Sequence, residues 1–201
     1  MMIDSSLMFA LISFYFVMYI TPGPNNAMLL ASGLKFGFYK TLPHLFGITL
    51  GHNFQLILVC FGLGKIFEIF PEIQYILKFI CAFYLLYLGY KILGSFSKIE
   101  ENGSKPLKFY EGALFQIVNP KAWSTASIVA ASFLPQGENL YISITFISIT
   151  ALIICTVSIT PWAAFGSAIR GMVKYDSTKV IVEYILAFLL SLTAILIVVQ
   201  N

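Results

Sequence analysis

Thr21-Pro22-Gly23-Pro24-Asn25-Asn26 places two prolines and a glycine inside a run, Ser5 to Leu34, that carries no charge at all. As one helix that run would reach about 45 Å, against a hydrocarbon core of about 30 Å, so it must tilt or break. Pro22 and Pro24 lack an N–H and disfavour helix at the residue before each, so carbonyls between Phe16 and Ile20 lose their partners there. Inside a bilayer, freed backbone groups are tolerated only against protein or a wet cavity, and in transporters such breaks often frame the substrate. A kink that only shapes packing is the competing reading.

The surroundings of the break decide the class of protein. With 59% hydrophobic residues, 10% charged and a mean hydropathy of +0.87, the chain is expected to be an all-α integral membrane protein. Its 201 residues leave room for about six spans and no separate soluble domain, so residues 1–201 read as a single membrane domain. The net charge of +3 is scattered over short loops and makes no nucleic-acid face. Cys60, Cys81 and Cys155 lie in apolar runs, without CxxC or histidine at ligand spacing. They read as small buried hydrophobes, and no metal, disulfide or other cofactor is expected. No basic residue precedes the first apolar run, which is expected to stay as a span rather than be cleaved.

In order, the spans are expected at about 5–34, 41–64, 73–93, 109–134, 140–169 and 180–199. Gly47 and Gly51 in the second have the spacing that permits close helix approach. Lys78 can snorkel at one end of the third, and Tyr84, Tyr87 and Tyr90 read as packing and interface residues. A polar stretch from Gly94 to Pro106 divides the chain into halves of about 1–104 and 105–201. The fourth span is broken at Asn119-Pro120-Lys121, and the fifth carries Pro161, with Trp162 assigned to a kink there. An offset of 96 lays Pro24 on Pro120 (24 + 96 = 120). Each half then has a proline-broken helix, a long helix and a plain one. Three spans per half make the repeats inverted, which brings the two breaks together at mid-depth.

Lys and Arg favour cytoplasmic loops. Loops after spans one, three and five hold Lys35, Lys40, Lys91, Lys98, Lys105, Lys108, Arg170, Lys174 and Lys179, whereas the other side has only Lys65 and Lys78. Both termini are therefore expected outside, provided that the first broken segment crosses rather than re-enters.

Pro22-Gly23-Pro24-Asn25, Leu77-Lys78 through Ala82, Tyr84 to Gly89, and Phe109, Gly112 and Asn119-Pro120-Lys121 followed by Phe133-Leu134-Pro135-Gln136 together resemble the LysE/RhtB family of bacterial amino-acid exporters. The doubled Asn25-Asn26 and the run Phe115 to Asn119 look closest to its cysteine and O-acetylserine branch. The resemblance implies a multi-pass inner-membrane protein whose partners are a small amino-acid substrate and the lipid bilayer, and which exports that substrate against proton entry and without ATP. The alternative cargo is homoserine or threonine. Basic-amino-acid exporters of the superfamily carry an acid in the second span, and residues 41–64 have none. Export of lysine or arginine is not expected, and a homo-oligomer is left open.

The residues expected to bind substrate are Pro22, Gly23, Pro24, Asn25, Asn26, Gln116, Asn119, Pro120 and Lys121. Lys121 stands out because an amine at mid-membrane costs about 3 kcal/mol or more and is kept where it pairs or works. Glu111, ten residues earlier, would lie roughly 15 Å away along a helix, too far for a salt bridge. The amides can donate and accept, and backbone repair is their other use. Half-helices starting near Asn25 and Lys121 attract an anion, so the substrate carboxylate is expected there, with its ammonium at carbonyls near Ile20 and Val118 and at Asn25 and Gln116. An empty site would leave Lys121 without a partner and favour its neutral form, which lets it carry a proton. His52, beside Asn53, is the second candidate for proton coupling. His44, two turns away, is too distant to share a metal with it.

An intramembrane enzyme is not expected, since GxSG, HExxH and clustered carboxylates are missing. A structural or assembly subunit would explain the glycines but not a lone lysine beside two proline breaks.

Overall fold

The computed structural model describes residues 5–64, 66, 69–70, 72–93, 105–134, 140–172 and 176–199. The regular elements among them are all helices: α1 (Ser5–Ile20), α2 (Pro24–Phe36), α3 (Phe38–Leu58), α4 (Glu72–Ile92), α5 (Phe109–Val118), α6 (Pro120–Ser132), α7 (Leu140–Met172) and α8 (Asp176–Val199). The stretch from Gly94 to Ser104, Pro135-Gln136, Lys65, Lys98 and Lys174 lie outside the described residues.

Both proline breaks fall where the missing N–H groups put them. α1 and α2 meet at 55° across Thr21 to Gly23, and α5 gives way to α6 at Asn119, whose ψ of 105° is extended. Pro161 behaves differently. It lies inside α7, which runs through it for 33 residues. Between α2 and α3 the turn is made by Gly37 alone, at φ 88°, a conformation that favours glycine. α3 runs on into a π-helical turn, Val59–Leu63, that closes on Gly62 at φ 104°.

Four helical stretches, within Phe38–Leu63, Tyr75–Ile92, Leu140–Arg170 and Val180–Val199, are each long and apolar enough to cross a bilayer, and α1 with α2 makes a fifth if the bent pair counts as one span. The surface matches that solvent. Phe9 (72% exposed), Phe83 (68%) and Phe188 (64%) point outward, while Asn26, His52, Gln55, Gln116 and Asn119 are buried. Apolar outside and polar inside is the distribution lipid imposes. The chain is a multi-pass helical membrane protein.

The helices pair as α2 along α7, α3 along α5 and α4 along α8, with α3 and α1 also packed on α7. Glycines set the two closest approaches. A Cβ on Gly47 would run into the Phe109 carbonyl of α5, and one on Gly51 would stand 2.6 Å from the Ala113 Cα. On the other pair, a Cβ on Gly33 would meet the Ala163 carbonyl of α7. The spacing of Gly47 and Gly51 thus serves packing, and the helix they admit, α5, carries Gln116 to the centre. Tyr84 packs on Phe115, with ring centroids 5.3 Å apart, and Tyr87 and Tyr90 face outward.

Candidate functional site

At the first break, the carbonyls of Tyr19, Ile20, Thr21 and Pro22 accept side-chain hydrogen bonds. The Trp162 indole donates from α7 to Ile20 O at 3.2 Å. Asn26 Nδ2 donates to Tyr19 O at 2.8 Å and to Thr21 O at 2.9 Å. Lys121 Nζ reaches across from α6 to Thr21 O at 2.9 Å and to Pro22 O at 3.4 Å. Two expectations are corrected here. Ile20 O is not open, and Lys121 is not partnerless, because backbone carbonyls freed by proline take the place of the carboxylate it lacks. Trp162 closes the break at Ile20 rather than serving a kink at Pro161.

The second break is closed in the same style. Asn119 Oδ1 accepts from Lys121 N at 3.1 Å and so caps α6. The Trp123 indole donates to Ile117 O at 2.8 Å, and Gln55 Nε2 donates to Gln116 O at 3.2 Å.

The two breaks are joined by a reciprocal amide pair. Asn25 Nδ2 donates to Gln116 Oε1 at 2.9 Å, and Gln116 Nε2 returns a bond to Asn25 Oδ1 at 3.1 Å. Gln116 Nε2 also donates to Gly112 O at 2.9 Å, and Asn119 Nδ2 approaches its Oε1 at 3.4 Å. An amide has two donors and two acceptor positions, and all four of Gln116 are taken. Gln116 therefore holds the breaks in register, and its amide is not open to a ligand in this arrangement. Asn26 and Asn119 are committed to backbone repair through the atoms just named, which leaves the buried Asn26 Oδ1 without a hydrogen-bond partner.

A narrow cleft lies between the breaks. Gly23, Pro24, Asn25, Asn26, Asn119 and Lys121 line it, and His52 faces them from α3. Pro22 meets Lys121 only through its carbonyl, Gln116 stands behind Asn25, and Pro120 turns to a second cavity. The wall also includes Tyr19, Thr125 and Cys155, which sequence reading passed over. They look like ordinary members of apolar helices, and nothing local marks them. Tyr19 stacks on Tyr15, with centroids 5.4 Å apart, and its hydroxyl lies 3.0 Å from His52 Nε2. His52 is thereby fixed at the cleft. His44 is turned away from it, against Gly112, where a Cβ would meet its ring at 2.8 Å.

Among the described residues of the lining, Lys121 is the only charged one. Glu111 is occupied elsewhere, accepting from Lys108 N at 2.7 Å at the start of α5. The cleft is cationic and rich in backbone polarity, suited to a small molecule bearing a carboxylate and hydrogen-bond donors.

A multi-pass helical protein with two broken helices closing on a polar cleft has the architecture of a transporter rather than an enzyme. The chain matches the LysE type translocator model over residues 16–201, and it belongs to that family. It is 30% identical over 178 residues to the cysteine/O-acetylserine efflux protein of Salmonella choleraesuis (strain SC-B67), across 88% of this chain and 89% of that protein. Identity to the protein of the same description from Escherichia coli O157:H7 is 29% over the same length. No solved structure matches the chain.

Proposed function

We propose that the chain exports small neutral amino acids, cysteine and O-acetylserine first and homoserine or threonine second, from the cytoplasm across the inner membrane in exchange for protons. The observation that carries this reading is the position of the Lys121 ammonium, on the Thr21 and Pro22 carbonyls. An incoming carboxylate draws Nζ toward itself, and the carbonyls it leaves take the substrate's own ammonium. Lys121 thus stands in for the substrate while the cleft is empty. Proton exchange falls to Lys121, with His52 as the second group. The names of the relatives support the cargo, and the lack of an acid in the lining argues against a dication. Cells overproducing the chain are expected to tolerate added cysteine or homoserine better than controls. Protection against lysine or arginine alone would overturn the assignment.

We also infer six spans in two inverted repeats, the sixth formed by α5 and α6. Exchanging the halves maps the packing onto itself in outline: α4 pairs with α8, α3 with α7, and α3 lies on α5 and α6 as α7 lies on α1 and α2. The tightest contacts, α3 on α5 and α7 on α2, are not mates under that exchange, so the symmetry is one of layout. The termini are placed outside. Lys35 lies within electrostatic reach of Lys91, and Arg170 abuts Gly37, so basic residues of three loops gather at one end, the cytoplasmic one. A reporter fused after Lys105 should read cytoplasmic and one at the C-terminus external. The same compartment for both would refute the inverted arrangement.

A further inference from the structure

A second, wider cavity lies between α4 and α6, with Leu77 and Lys78 on one wall and Pro120, Trp123, Ser124 and Ser127 on the other. α6 separates it from the cleft. At roughly 100° per residue, Lys121 and Thr125 share the cleft face of α6, and Pro120, Ser124 and Ser127 lie on a neighbouring face about 110° round the helix. The chemistry of that second face is not that of a lipid contact. Hydroxyls on membrane helices ordinarily bond back one turn, as Thr125 does to Lys121 O at 2.7 Å and Thr156 to Leu152 O at 2.8 Å. No such bond holds Ser124 or Ser127, and both face the cavity, as does Lys78.

Its level along the membrane is fixed by its neighbours. Ser127 lies beside Gly64, where α3 ends, and α6 touches the π-helical turn there. That is the end opposite Arg170 and Lys91. Lys78 is six residues from the start of α4, about 9 Å along it. The cavity therefore occupies the outer half, and it touches the cleft's border where Pro120 adjoins Lys121 at the unwound start of α6.

We propose that this cavity is the outward release vestibule, in which Lys78 and the hydroxyls of Ser124 and Ser127 take the carboxylate of the amino acid after Lys121. The proposal rests on the transport reading above. A carboxylate leaving one ammonium for another crosses the outer half without an unpaired charge. A lipid phosphate shares that chemistry, and the experiment separates the two.

Ser127→Cys is examined in intact cells with a membrane-impermeant trimethylammonium methanethiosulfonate reagent added outside. Cys60, Cys81 and Cys155 are buried, so the variant is expected to react faster than the unsubstituted chain and to lose efflux on reaction. Lys78→Met should slow efflux by about tenfold, the effect of losing one charge-assisted hydrogen bond, with Lys78→Arg close to the parent. Amounts in the membrane fraction are measured for each. Reaction of Ser127→Cys only after detergent extraction would mean a cavity sealed by lipid and would overturn the proposal. So would unchanged efflux in Lys78→Met. A parent chain that exports none of the amino acids tried would instead overturn the transport reading, and this control is read before any variant.

Discussion

Lys121→Met is expected to abolish export while the protein still inserts and accumulates. Two magnitudes decide the second half of that statement. Removing an amine from mid-membrane relieves about 3 kcal/mol of insertion cost, whereas Thr21 O keeps its bond from Asn26 and leaving the Pro22 carbonyl unpaired costs about 1–3 kcal/mol. The terms are of one size, so the fold survives. Transport does not, because the methionine cannot meet a carboxylate. Truncating one partner of a buried charged pair costs about 2–5 kcal/mol, a fall in affinity of about thirtyfold or more. Lys121→Arg should retain binding through its fixed charge and lose proton coupling, since arginine does not give up its proton. Both outcomes are read in proteoliposomes, as uptake or efflux of labelled amino acid with and without an imposed pH gradient. Undiminished proton-dependent export by Lys121→Met would make the lysine structural and move the coupling to His52.

Gly47→Val is expected to prevent accumulation of folded protein. The atom in the way is a backbone carbonyl, that of Phe109, so no side chain can rotate to make room. Overpacking of this kind costs about 1–3 kcal/mol or more, and the helix that must retreat is α5. Its displacement would separate Gln116 from Asn25, whose mutual hydrogen bonds are 2.9 and 3.1 Å, and so open the junction of the two breaks. Gly47→Ala should show the same effect in weaker form, as a lowered Tm on detergent-solubilised protein. A Gly47→Val protein that elutes as a single species with the parent's Tm would refute the close approach of α3 and α5.

The breaks were legible because their cause is local: a proline lacks an N–H wherever it stands. The glycine contact was legible as a spacing, although the partner helix was not. What closes each break could not be read from the sequence, since Trp162 and Ile20 are 142 residues apart and Lys121 and Thr21 are 100 apart. Lys121 was sought a carboxylate partner, and the fold supplies carbonyls. Pro161 shows the converse, a local signal that α7 absorbs because a helix this long is held along its length by α1, α2 and α3. Glu183, near the start of the span expected at 180–199, is 3% exposed, because α8 begins at Asp176 and so carries that acid a further turn inward. The cleft residues Tyr19, Thr125 and Cys155 gain their meaning only from register between helices, which no single helix encodes.

The chain has two tryptophans, and each indole N–H is bound to a carbonyl across one of the two breaks. Indole emission shifts with the hydrogen bonding and polarity around the ring, so tryptophan emission, excited apart from the eleven tyrosines, comes wholly from the two breaks. Trp162→Phe leaves only the second to glow and Trp123→Phe only the first, which makes the unlabelled molecule its own optical gauge of which half moves when cargo arrives.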